Sequence, residues 1–350
     1  LNLINHGVRI FRLDAIAYLW KESGTKCINH YNTHNIIKLI RNICSLLTKE
    51  CIIITETNLP EKENLSYFGK NDEANWVYNF SLSPLLVYSL LFENSKKITK
   101  WSKNFPSAKK KNNYLNFIAS HDGIGMRPIE GILDNNTKKK FFQRLKKNGG
   151  EFSFRKILGK GKNVYEANIT LFNAFKKSNI DKNGKFGFQR YFAAHTIMMS
   201  FEGVPAIYFN SIFGNSNDNS KYIISGNKRD LNRYRWNSLK LENHLKDKKS
   251  KQNKYYVNMI NLLKIRNKQK AFHPNAQRIT LDLGSRVFAF KRTSLDRKQT
   301  ITCITNMTSN VQLLNINGKI MSGKNLLNEK LVDINKKLQL QPFQTVWISN

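Results

Sequence analysis

Acidic residues are scarce in this chain. Asp and Glu number 24 against 58 Lys and Arg, a formal charge of +34 over 350 residues. So basic a chain attracts polyanions, yet no groove-reading motif appears and the lysines are scattered. The charge reads as a solvated basic surface on a compositionally biased chain, and no nucleic-acid partner is expected. Cysteine is also rare. Cys27, Cys44, Cys51 and Cys303 form no C-x-x-C pair, so zinc and a disulfide framework are not expected, and a reducing cytoplasm fits. The longest apolar stretch, Ser81 to Phe92, contains a Pro and is too short to span a bilayer, so no membrane partner is expected. No signal-peptide pattern opens the chain, and neither internal repeats nor a true linker appear. It opens on Leu1 without a Met, which suggests a fragment or a processed start.

Hydrophobic residues make up 40% of the chain and aromatics 11%, enough for a packed core in one large domain or two. Three short apolar runs stand out because each ends in an acid. Val8 to Leu13, entered through Gly7, reads as a buried strand delivering Arg12 and Asp14, which lie two apart and share a face of an extended chain. An Arg there keeps the Asp ionised, so Asp14 suits a nucleophile, or else the pair is structural. Cys51 to Thr55 ends in Glu56, and Tyr114 to Ala119 ends near His121 and Asp122. In a parallel α/β barrel all strand C-termini meet at one rim, where catalytic residues sit. Acids gathered there suit sugar chemistry, in which two carboxylates flank a glycosidic bond.

Arg12-Leu-Asp-Ala15, Ile54-Thr-Glu-Thr-Asn58 and Ser120-His-Asp-Gly123 resemble conserved regions of glycoside hydrolase family 13, the α-amylase superfamily. The longer stretches Arg12 to Lys21, Glu63-Asn-Leu-Ser-Tyr-Phe-Gly69 and Asn116 to Gly125 resemble its sucrose phosphorylase subgroup. That resemblance implies a retaining α-glucosyl transfer. Phosphorolysis of sucrose, sucrose 6-phosphate or glucosylglycerate would give α-glucose 1-phosphate through a covalent glucosyl-enzyme. Asp14 is the implied nucleophile, Glu56 the acid/base and Asp122 the transition-state stabiliser, with Arg12 and His121 beside the sugar. Sugar and inorganic phosphate are the implied partners, with no other cofactor and no metal. An α-glucosidase or amylase-type hydrolase, and a non-enzymatic polyanion-binding protein, are the alternatives.

Elsewhere the chain alternates strand and helix patterns. Ile36 to Leu47 is an amphipathic helix that Thr33 could cap, Trp76–Phe80 a strand and Leu85–Phe92 a helix. Residues 123–180 read as a long irregular insert, in which Tyr165-Glu-Ala-Asn168 resembles the subgroup's acceptor loop. Phe186–Ser200 reads as a helix, with His195 a core histidine rather than a ligand. Val204–Phe209 is a fifth strand and Asn253–Lys270 a helix. Asn210 stands where the subgroup carries a His. Arg127, Arg155, Arg229 and Arg233, all expected in rim loops, are candidates for phosphate, and Lys228 with Arg229 and Arg233 for an anionic acceptor.

After Pro274 the pattern becomes short alternating runs: Arg278–Leu283, Val287–Lys291, Thr300–Thr305, Val311–Ile316 and Val346–Ile348. The expected fold is thus α/β: an incomplete (β/α)8 barrel over 1–274, holding the family's strands four to eight, then a small antiparallel β-sandwich over 275–350. The first three strands of the family's barrel have no counterpart. Five strands cannot close an eight-stranded barrel, so a separate chain or a longer protein would supply the rest.

Overall fold

The computed structural model describes residues 1–108, 112–157, 161–315, 322–333 and 337–350. Its centre is a five-stranded parallel sheet. The strands are β1 (Ile10–Leu13), β2 (Ile52–Thr55), β3 (Trp76–Asn79), β4 (Asn113–Asn116) and, after three strands of a second sheet, β8 (Val204–Pro205). Their order is β1-β2-β3-β4-β8, so β1 and β8 are its edges and do not pair with each other. Leu13 pairs with Thr55, and Asn79 with Asn116, so the strands end nearly level. That register places Asp14 and Glu56 one residue beyond neighbouring strand ends. Glu56 N donates to Leu13 O at 3.1 Å.

The first strand is not buried, as its apolar sequence suggests. Ile10 is 51% exposed and Arg12 is also exposed, whereas Phe11 and Leu13 face the core. An edge strand has a neighbour on one side only, and sequence alone does not say which strands are edges. Behind the sheet lie helices Tyr31–Leu47, Leu82–Leu91, Lys96–Asn104, Gly187–Ser200 and Lys251–Asn267. His30, not Thr33, caps the first of these: its side chain accepts from Asn32 N at 3.2 Å, while Thr33 is already inside the helix. Leu82–Leu91 buries residues all round, which is why its sequence shows no polar face. Each fully buried Leu there contributes roughly 1.5–3 kcal/mol. His195 is a core residue, as its apolar stripe implied. Its Nδ1 lies 2.9 Å from Tyr191 O, and burial lowers its pKa to about 4, so it stays neutral.

The stretch 123–180 is not irregular. It holds β5 (Ile124–Gly125), β6 (Glu151–Ile157) and β7 (Gly161–Asn168), an antiparallel sheet of order β5-β7-β6, with helices Asn135–Lys147 and Leu171–Lys176. Glycines and lysines mask these elements in the sequence, but Asp134 caps the first helix through Thr137 N. Residues 158–160 of that stretch lie outside the described residues.

The last quarter is antiparallel, as its alternating runs imply. Strands β9 (Gln277–Leu281), β10 (Val287–Thr293), β11 (Thr300–Asn306), β13 (Gly323–Asn325), β14 (Leu331–Val332) and β16 (Thr345–Ser349) form one six-stranded sheet. The ribbon of β12 (Gln312–Leu314) and β15 (Leu338–Leu340) packs on one face of it, over Val287, Ala289, Ile304, Val346 and Ile348. Ile316, the expected end of β12, lies outside the described residues. The opposite face carries Phe288, Phe290, Ile301, Cys303 and Trp347 into the core of the parallel sheet. Arg292, fully buried, ties the layers by donating to Ser200 O and His273 O, both at 2.7 Å.

Candidate active site

The three strand-end acids meet in one cavity of about 140 Å³, lined among others by Arg12, Asp14, Glu56, Tyr78, His121 and Asp122. Arg12 is at its centre. One nitrogen of its guanidinium lies 2.6 Å from Asp14 Oδ1 and another 3.9 Å from Glu56 Oε2. Its Nε donates to the Tyr78 hydroxyl at 2.9 Å. These contacts fix the fork in a plane between two carboxylates, a geometry that a lysine cannot reproduce.

The two carboxylates differ in environment. The Asp14 side chain is 71% exposed, and that of Glu56 only 13%. Burial raises the Glu56 pKa above the usual carboxylate range. A hydrogen bond from Ala15 N at 2.9 Å and the charge of Arg12 pull it down, while Asp14 and Asp122 push it up. Two acids whose environments separate them in this way can take different roles, one holding a proton and one bearing charge. Ala15 itself has φ 44°, a left-handed conformation that costs a non-glycine residue about 1 kcal/mol or more. That turn aims its N–H at Glu56.

Asp122 follows β4 and is held from the other side. Arg229 Nη1 and Arg233 Nη2 both reach its Oδ1, at 2.7 and 3.1 Å. Arg233 Nε also donates to His121 O at 2.7 Å. Asn232 donates to Asp122 O at 2.8 Å and to Ser120 O at 3.2 Å. Thus the short helix Lys228–Asn232 and the residue after it clamp the Ser120–Asp122 turn.

The remaining candidates are spread differently. Tyr165, on β7, lines the acid cavity with Asn58 and Glu166. Asn210 does not. It donates to the Tyr208 hydroxyl at 3.1 Å and to Tyr234 O at 3.0 Å. It lines an adjoining cavity of about 20 Å³ that shares Ser120, Asp122 and Gly123 with the first. Two arginines expected at the rim are elsewhere. Arg155 lies on β6 and pairs with Glu130 at 2.9 Å, and Arg127 is buried in the short helix Arg127–Ile129. Lys228 spends its ammonium on Phe152 O at 2.6 Å. Tyr78, Asn232 and Glu166 are contacts that strand-end reasoning misses. Tyr78 is readable from register, since β3 neighbours β2, but the others reach the site from separate elements. Among the described residues, no group of three or more His, Cys, Asp or Glu side chains converges to hold a metal ion, and no helix is long and apolar enough to cross a membrane.

No family model matches the chain. It is 34% identical over 345 residues to a glucosylglycerate phosphorylase of Escherichia coli (strain K12), an alignment covering 98% of this chain and 60% of that protein. It is 25% identical over 277 residues to a sucrose phosphorylase of Bifidobacterium adolescentis, covering 76% of this chain and 50% of the relative. The chain therefore spans between half and three-fifths of these relatives' length. Its fold is similar to the crystal structure of sucrose 6F-phosphate phosphorylase from Thermoanaerobacter thermosaccharolyticum, with a TM-score of 0.73 and 18% identity. That match covers 96% of this chain and 60% of that one.

Proposed function

This chain is a homologue of the glucosylglycerate and sucrose phosphorylases of glycoside hydrolase family 13, and from that premise we propose that it carries the catalytic rim of a retaining α-glucoside phosphorylase. The observation that supports this best is the convergence of Asp14, Glu56 and Asp122 in one cavity, with the largely covered Glu56 raised in pKa. Asp14, paired with Arg12, attacks the anomeric carbon and forms a glucosyl ester. Glu56 gives its proton to the departing oxygen. It then takes the proton of the incoming phosphate, whose oxygen displaces Asp14 and yields α-glucose 1-phosphate with retention. Asp122, braced on one oxygen by two arginines, offers the other to sugar hydroxyls. His121 is beside it.

Inorganic phosphate is the co-substrate in this reading, and no other cofactor or metal takes part. Arg233 is the cation assigned to it, because its own contacts use Nε and Nη2, whereas Arg229 has all three nitrogens on carboxylates and Lys228 donates to Phe152 O. Tyr165 lies on the acceptor side, and Asn210 shapes the adjoining cavity. Glycerate is the acceptor we favour, since the glucosylglycerate phosphorylase of E. coli shares 34% of aligned residues against 25% for the sucrose phosphorylase. The parallel sheet is read as strands four to eight of a (β/α)8 barrel over residues 1–274, followed by a β-sandwich over 275–350. Eight strands less the five present leaves three to come from a longer protein or a separate chain. The four free cysteines suit a reducing cytoplasm.

The test is phosphorolysis. The chain, alone and combined with a polypeptide bearing the three further strand–helix units, is given glucosylglycerate, sucrose, sucrose 6-phosphate and glucosylglycerol with phosphate. Release of α-glucose 1-phosphate is expected, with glucosylglycerate the best donor. Free glucose formed equally without phosphate would mean a hydrolase. Tight, salt-sensitive nucleic-acid binding without any sugar chemistry would overturn the enzyme reading.

A further inference from the structure

Glu166 is a buried carboxylate that the proposed mechanism does not use. It is 3% exposed, on β7, and its cation is Arg229. The pair is bidentate: Arg229 Nε donates to Oε1 at 3.1 Å and Nη2 to Oε2 at 2.8 Å. The third edge of the same guanidinium, Nη1, reaches Asp122 Oδ1 at 2.7 Å. A planar fork gripped along one side has no freedom to swing on the other, so Glu166 sets where Arg229 meets Asp122. The backbones agree with this coupling. A Cβ on Gly123, the residue after Asp122, would lie 2.5 Å from Ala167 O and 2.7 Å from Glu166 Cγ. The Asp122 turn and β7 are therefore in direct contact.

We propose that Glu166 is a positioning residue for Asp122, acting through Arg229, so that the antiparallel insert governs the alignment of the parallel sheet's third acid. The proposal rests on the reading in which Asp122 holds sugar hydroxyls at the transition state. A misaligned Asp122 still leaves the sugar bound by the rest of the cavity. The cost falls on the transition state, where contacts to the ring strengthen.

Glu166→Gln is the informative variant. Glutamine keeps the shape but has one acceptor oxygen, so one of the two bonds to Arg229 is lost and the fork is freed. With the enzyme in its active assembly, kcat is expected to fall about tenfold to a hundredfold while KM for the glucoside changes less than about threefold. Glu166→Asp, which keeps two acceptors, should recover part of kcat. Turnover within twofold of wild type in Glu166→Gln would overturn the proposal. So would a loss fully accounted for by a smaller folded fraction. A second readout does not need turnover: the 15N Nε resonance of Arg229, assigned with Arg229→Lys, should shift in both Glu166→Gln and Asp122→Asn. If wild type turns over no glucoside, the phosphorylase reading fails, and this resonance still decides the coupling. An Arg229 signal that ignores Glu166→Gln would overturn it.

Discussion

At the residue scale the site rests on a contrast between two carboxylates that share one arginine. Asp14 is in water beside Arg12, whereas the side chain of Glu56 is only 13% exposed. Asp14→Ala should therefore lower glucosyl transfer by a factor on the order of 10⁴, with the melting temperature nearly unchanged because the side chain is exposed. Retained turnover per folded molecule would remove Asp14 from the mechanism. Glu56 has its folded pKa raised, so the proton is bound more tightly in the folded state. Its contribution to stability is full below the ordinary carboxylate range and is lost as pH rises through the raised value. The acid step is lost over the same window. kcat/KM should fall on the alkaline side of that pKa, and Glu56→Gln should abolish turnover while removing this part of the pH dependence of stability. A pH–rate profile and denaturation at several pH values check both. These acids were legible because each ends an apolar run. The environments that separate them were not, since burial at a strand end depends on the neighbouring loops. Glu166 was visible only as a letter beside Tyr165, because its partner Arg229 lies in a different element.

At the element scale the legible parts were those with an undivided pattern. The helix Gly187–Ser200 and the alternating strands after Pro274 carry enough apolar residues to announce themselves. The insert did not, because lysine and asparagine interrupt the apolar pattern of its strands. Edge strands were equally opaque: Phe11 and Leu13 pack inward, but Ile10 is 51% exposed. The insert's docking onto the Asp122 turn leads to a test by steric addition. In Gly123→Ala the new methyl would meet the backbone of Ala167, which cannot move without shifting β7. A stability loss of about 1–3 kcal/mol in chemical denaturation is expected. No measurable change would mean that the turn and the hairpin are not in contact. Arg292→Ala removes a donor from each of Ser200 O, His273 O and Ala276 O and leaves a void between the layers. Its cost should be about 3 kcal/mol in the same assay.

At the scale of the whole molecule the parallel sheet stops, among the described residues, at two edge strands, β1 and β8. The helix next to β1 has one broad apolar face. Ile37, Ile40 and Cys44 join buried clusters, with Phe11 beside the last two. Leu39, Ile43, Leu46 and Leu47 form its other half and are exposed, Leu46 by 86%. An apolar arc this wide belongs between two layers, and among the described residues it is covered on one half. Unpaired strand backbone beside an uncovered apolar stripe is also a template for association. If three further strand–helix units complete the barrel, they cover this face, and the chain without them should self-associate. Light scattering should show concentration-dependent oligomers. Ile10→Lys with Leu46→Lys should reduce them with little loss of stability, since Leu46 is 86% and Ile10 51% exposed. Adding a polypeptide that supplies the three units should give a monodisperse complex with a higher melting temperature, by mass action on the folded state. In that complex the same two lysines should weaken assembly. A chain that is monomeric alone and turns over glucosides at full rate would instead mean that the five-stranded arc is sufficient and that these apolar residues stay in solvent.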